Sequence, residues 1–229
     1  VNNLQMLKKV GLIFIVLIFP LGFLLFFGLA LDHKFKTLPY YHPSEILLDS
    51  ADNDLGKTYF LPNKEFVNHN GDIVSIESLK DNVYLLAPYS LGSEYISVIT
   101  KRLLTANFKY TDEDNIKIIG LNTDGVIQNE EHLKDYMVNL NRNADETDNF
   151  FYLSTTSKEA MEDFITKELG IVNLNNSAIT LLIDSRSQIR GRYNLNAERQ
   201  INDAIEDIAL LRKEIDIERY EANKVNSNN

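Results

Sequence analysis

The stretch best suited to chemistry lies between an apolar run and a helical pattern. Val83-Tyr84-Leu85-Leu86 is long enough for a strand covered on both faces. Pro88 is expected to end that strand, Ser90 to Ser93 makes a tight polar turn, and Ile96, Ile99 and Leu103 then fall on one helical face. A turn of this kind brings free backbone N–H groups and the positive end of a helix to one point, which suits a cysteine thiolate of lowered pKa. This turn holds serines instead. Cysteine is absent from all 229 residues, which excludes disulfides, thiolate nucleophiles and Cys-ligated metals. Ser93 as a hydroxyl nucleophile would need an activating base, and no histidine is placed to serve. A serine at a helix start is also what capping alone favours.

Other reactive side chains do not assemble into a pattern. His33, His42, His69 and His132 fall in a spacer, a turn and a helix start, without metal-ligand spacing. Met6, Met137 and Met161 sit in a tail and in two helix cores, which does not make a methionine copper box. Asp112-Glu113-Asp114 and Asp145-Glu146 could attract Ca²⁺ or could simply be solvated loops, and they lack the glycine and distal glutamate of an EF-hand. Phosphate-binding and dinucleotide glycine patterns are missing. The net charge is −10 with no basic stripe, which argues against nucleic acid and fits a solubilising acidic surface.

The elements that must position the loop can be taken in chain order. Val10 to Leu31 contains no charged residue, and at about 1.5 Å per residue it matches a hydrocarbon core of about 30 Å. Lys8 and Lys9 precede it and orient the N-terminus inward, although His33, Lys34 and Lys36 weaken the bias. Gly28-Leu29-Ala30 leaves a cleaved signal peptide as the alternative, but the apolar run exceeds the roughly 7–15 residues of a signal core. Asp32 to Lys57 reads as a juxtamembrane spacer, extended around Pro39 and Pro43. Its tyrosines suit either the membrane interface or the domain surface.

Phe66-Val67 and Ile73-Val74 flank Asn70-Gly71, a short-range hairpin signal. Ile116 to Asn122 is a second core strand, Asn129 to Val138 an amphipathic helix, and Phe150 to Leu153 a short aromatic strand. Ser157 to Leu169 is a helix closed by Gly170, Ile179 to Tyr193 a second hairpin, Ala197 to Arg219 a final helix, and Glu221 to Asn229 a frayed tail. This order predicts an α/β, thioredoxin-like fold: a central sheet flanked by helices, with an N-terminal hairpin extension and one transmembrane helix. The corresponding divisions are 1–31 cytoplasmic tip and anchor, 32–57 spacer, 58–219 domain and 220–229 tail.

At this point the chain resembles the Sco (SenC) family of membrane-anchored, thioredoxin-fold cytochrome oxidase assembly proteins. Phe66-Val67-Asn68-His69-Asn70-Gly71 is similar to that family's F-x-N-x-x-G hairpin, and Leu79-Lys80-Asp81-Asn82-Val83-Tyr84 to its L-K-G-K-V-Y approach. Phe151-Tyr152-Leu153-Ser154 resembles its W-x-F-L-T-G strand, and Leu182 through Tyr193 its L-I-D-x-x-G-x-I-R-G-x-Y hairpin. The family binds copper through a C-x-x-x-C pair and a distant histidine. The resemblance carries those three roles to Ser93, Ser97 and Asn176, so all three ligands are replaced. Serine hydroxyls and a carboxamide suit soft Cu(I) badly, and thiol exchange needs a thiolate. With no proline after Pro88, the cis-proline loop of working thioredoxins also has no counterpart.

The resemblance therefore implies a non-enzymatic, cofactor-free binding or assembly factor. It would lie in the cytoplasmic membrane with its domain on the periplasmic side. Its partner would be a respiratory protein or a copper-competent relative, and nucleic acid is not expected. The alternatives are a copper metallochaperone using other ligands, and an interaction protein unrelated to respiration.

Overall fold

Alternation along one strand sets the layers of the domain. The protein's computed structural model describes residues 20–23, 37–48, 56–68, 71–90, 93, 95–124, 150–155, 157–172 and 178–227. Strand β3, preceded in the chain by α1 (Pro43–Leu48), β1 (Glu65–Asn68) and β2 (Ile73–Ser75), runs over Val83–Tyr89 and is buried throughout. Val83, Leu85, Ala87 and Tyr89 join one apolar cluster, whereas Tyr84 and Leu86 join the other. A period of two with both sets apolar requires cover on both faces of the sheet. Helix α2 (Ile96–Lys109) supplies Ile99 and Leu103 to the first face, with Ile96 packed beside them.

The sheet has seven strands in the order β2-β1-β5-β4-β3-β6-β7. Beyond β3, its members are β4 (Ile116–Asn122), β5 (Phe150–Ser154), β6 (Ile179–Ile183) and β7 (Ile189–Asn194). β3 is parallel to β4, β4 to β5, while β6 runs antiparallel to β3 with Leu85 opposite Leu182. The helix α3 (Lys158–Asp163) is capped by the Ser157 hydroxyl, which accepts from Ala160 N–H at 3.1 Å. It continues as a π-helical stretch over Phe164–Glu168, and Met161, Phe164 and Ile165 cover the second face. Gly170 closes it at φ +67, where a Cβ would stand 2.0 Å from the Pro43 carbonyl oxygen. Helix α4 (Glu198–Ser227) completes the first face through Ile201, Ala204, Ile208 and Leu211.

Several boundaries differ from the pattern read in the sequence. Pro88 lies inside β3 rather than after it, because pairing with β6 covers only Tyr84–Leu86 and no ladder bond there needs its missing N–H. Helix α4 continues to Ser227, past Arg219 and into the stretch read as a tail. The compact unit is Thr37–Asn229, so much of the stretch read as spacer is folded onto the domain. Leu38 is buried, Tyr41 bridges to Ile189, and α1 packs Ile46 into the core.

Arg190 explains why that stretch is held. Its guanidinium, 4% exposed, donates to the carbonyl oxygens of Leu38 (2.9 Å) and Pro39 (3.2 Å). It also donates to Asp184 (3.2 Å) and Glu214 (2.7 Å), and lies 4.0 Å from the centre of the Tyr40 ring. Residues 20–23, in the separate unit Val1–Lys36, are helical. Among the described residues no helix is long and apolar enough to cross a membrane. The remainder of the predicted anchor and the helix expected at Asn129 to Val138 lie outside the described residues.

Candidate functional site

The polar loop stands at the C-terminal ends of two parallel strands, where main-chain bonds fix it. The Tyr89 carbonyl oxygen at the end of β3 accepts from Thr123 N–H (2.9 Å) and from the Thr123 hydroxyl (3.0 Å), just beyond β4. Ser90 is buried, and its hydroxyl donates to Asp124 Oδ1 at 2.7 Å. Asp124 N–H in turn donates to Asn122 Oδ1 at 3.0 Å. The turn continues with Ser93 N–H donating to the Ser90 carbonyl oxygen (3.1 Å) and Ile96 N–H to that of Ser93 (3.2 Å). The Ser93 hydroxyl accepts from Tyr95 N–H at 3.2 Å, so this serine takes up a backbone donor at the helix entrance.

Ser97 is exposed one turn further along α2. The sequence suggests that its hydroxyl would bond back to a main-chain carbonyl, but among the described residues Thr100 does so instead, donating to Ile96 O at 2.8 Å. Asn176 lies outside the described residues, so its distance from the two serines is not part of the described site. Ser90 and Asp124 were not singled out by any motif. The signal for them is positional: Ser90 directly follows the apolar strand β3, and Asp124 follows the polar pair Asn122-Thr123 at the end of β4.

The chemistry open to this arrangement is narrow. The Ser90 hydroxyl donates its proton to the Asp124 carboxylate, a contact that ties the turn to the end of β4, and activation as a nucleophile would need a base placed at that hydroxyl. Neither Ser93 nor Ser97 offers the soft, deprotonated donor that Cu(I) requires, so the residues present do not fit the copper centre implied by the resemblance. His42, the described histidine, is engaged elsewhere. Its Nδ1 is 2.8 Å from the Ser44 hydroxyl, and its ring packs edge-on against Tyr59. Within the acidic run after α2, Glu113 pairs with Arg212 at 2.8 Å. Among the described residues no group of three or more potential ligands converges.

Neither a protein-family model nor a curated protein matches the sequence. Solved structures do match. BsSco, a member of the Sco family of cytochrome c oxidase assembly proteins with a disulfide switch, superposes with a TM-score of 0.56 at 22% identity. That match covers 67% of this chain and 93% of BsSco. A SCO1/SenC family lipoprotein from Bacillus anthracis gives 0.56 at 16% identity, over 67% of this chain and 95% of its own. The fold is that of the Sco proteins. The thioredoxin domain of a thiol-disulfide oxidoreductase from Bacteroides vulgatus also matches, at TM-score 0.50 and 17% identity, over 66% and 96% of the two chains. The Sco-like fold thus sits within the wider thioredoxin-like architecture expected from the element order.

The Sco-like sequence pattern also gains a conformational reading. Asp81 (φ 67) and Ser187 (φ 65) are the non-glycine residues of positive φ among the described residues. Both stand where the Sco-like pattern has glycine, in L-K-G-K-V-Y and in L-I-D-x-x-G respectively. The left-handed backbone stands there with a side chain in place of the glycine that would make it easy. Local bonds hold it: Asp81 N–H donates to Ser185 O at 3.0 Å, and Asp184 Oδ1 accepts from Arg186 N–H and Gln188 N–H, each at 2.9 Å.

Proposed function

We propose that this chain is a Sco-like domain that has lost copper and redox chemistry and works as a non-catalytic binding or assembly factor. It is anchored by residues 10–31 in the cytoplasmic membrane, with the domain on the periplasmic side. Its partner is a protein of cytochrome oxidase biogenesis, or a copper-competent relative. Ser93, Ser97 and Asn176 are the positions of the lost ligands. The observation that carries this reading is a Sco-like fold in which Ser90 and Ser93, at the strand-to-helix turn, make their main-chain bonds and offer hydroxyls in a chain without cysteine.

Restoring the ligands tests both the alignment and the loss. The parent should fail to hold Cu(I) against a strong chelator, whereas the triple variant Ser93→Cys, Ser97→Cys, Asn176→His should hold one equivalent. A parent that already retains Cu(I) would transfer the chain to the metallochaperones. A triple variant that binds none would refute the carry-over of ligand positions. Crosslinking in native membranes should recover a respiratory protein or a Sco relative, and recovery of only unrelated proteins would remove the respiratory part of the proposal.

A further inference from the structure

The end of the sheet remote from Ser90 carries a cavity that the Sco-like reading does not use. It lies beside the N-terminal end of β3 and the β6–β7 turn, with a volume of about 390 Å³, within the range typical of small-ligand sites. Phe60, Leu61 and Ile76 form an apolar wall, and the Phe60 ring is 53% exposed. Both strained residues, Asp81 and Ser187, line the same cavity. Side chains kept on left-handed backbone tend to cluster at functional sites, because the strain persists only where surrounding structure or selection maintains it. Ser187 is 2% exposed, and its hydroxyl lies buried beside that of Tyr84 without a hydrogen bond of normal geometry.

The charges at the rim decide what the cavity would take. Glu77 is neutralised by Lys80 at 2.7 Å, and Arg186 pairs with Glu218. Asp81 is exposed and has no ion pair among the described residues, so the cavity is lined by one uncompensated carboxylate and by an open aromatic ring. A carboxylate and a ring face together favour a cation, and the apolar wall favours a hydrocarbon stem behind it.

We propose that this cavity binds an organic cation, an ammonium or guanidinium group on a short hydrocarbon stem. A free amine and a lysine or arginine side chain are the two sources of such a cation. The inference rests on the cavity alone and stands whether or not the chain is a Sco relative.

The test is a titration of the ¹⁵N-labelled full chain, followed by amide shifts, with n-butylammonium in one arm and acetyl-Gly-Lys-Gly-amide in the other. Saturable shifts are expected at Leu61, Asp81 and Ser187, with none at Ile118 in the core. The arm of higher affinity identifies the source of the cation. Asp81→Asn keeps a residue that tolerates left-handed backbone while removing the charge, and should weaken binding about fivefold. Asp81→Gly should raise the melting temperature by about 2–4 °C while weakening binding as much or more, which separates strain held for binding from strain held for folding. The absence of saturable shifts in both arms, or equal affinity in Asp81→Asn, would overturn the proposal.

Discussion

Replacing Arg190 by methionine, a change that nearly conserves length and volume, should destabilise this domain strongly. The guanidinium satisfies two carboxylates and two main-chain carbonyls at once, and it is 4% exposed. Its removal strands Asp184 and Glu214, whose side chains are 5% and 14% exposed, without their counter-charge. Breaking a buried pair in this way costs about 3–5 kcal/mol, because the remaining charge keeps its desolvation penalty and loses its partner. A domain of ordinary stability has about 5–15 kcal/mol in total. At about 2–4 °C per kcal/mol for a unit of this size, the melting temperature should fall by about 6–20 °C.

Urea unfolding of the unit Thr37–Asn229 would measure the loss, and limited proteolysis would show where it falls. Cleavage should appear first between Leu38 and Tyr41, the segment Arg190 fastens. Adding Glu214→Gln should recover part of the loss, since one stranded charge is removed. A cost below about 1 kcal/mol, the level of a surface ion pair, would refute the claim that Arg190 works as a buried hub.

Two further outcomes follow from the core. Burial is the leading cause that pushes the Tyr84 and Tyr193 phenols well above their ordinary value, with Asp207 next for Tyr193. Above about pH 10 the unfolded chain releases these protons while the folded chain keeps them, so stability should fall as pH rises through that range and stay level below it. Urea midpoints between about pH 8 and 11 would check this, and Tyr193→Phe should flatten the decline. Leu85→Ala, at a fully buried position facing Leu182, should cost about 2–5 kcal/mol in the same assay, and an unchanged melting temperature would contradict its place in the sheet.

Periodicity made the framework legible. The apolar runs at Val83 and Ile116, and the helical stripes of Ile99–Leu103 and Ile201–Leu211, read correctly because each depends on burial along a regular element. Pro88 misled because a strand end can be paired on one side only, a property of the neighbouring strand and not of the local sequence. The packing of the segment from Thr37 onto the domain, one of two places the sequence left open for its tyrosines, is hidden for a similar reason. Leu38, Pro39 and Tyr40 are held by Arg190 and Glu214, more than 150 residues away in one case and in the other joined to Leu38 N–H across 176. No window of sequence contains both partners. At the loop, the absence of cysteine was plain from composition, whereas the bond from Ser90 to Asp124 depends on two strand ends lying side by side.

The two ends of β3 respond differently to side-chain change, and the reason is visible in their bonds. At the C-terminal end the loop is tied mainly through the carbonyl oxygens of Tyr89, Ser90 and Ser93, which are present whatever residue stands there. On the function proposed above, ligand side chains could therefore be exchanged for hydroxyls at this end with little strain. At the N-terminal end the backbone is left-handed at Asp81 and Ser187, where side-chain identity does matter and glycine is the easy choice. Retaining aspartate and serine there opposes folding slightly at both positions. Both residues line the cavity proposed to bind an organic cation, so they are the positions at which a function of this end of the sheet should be sought.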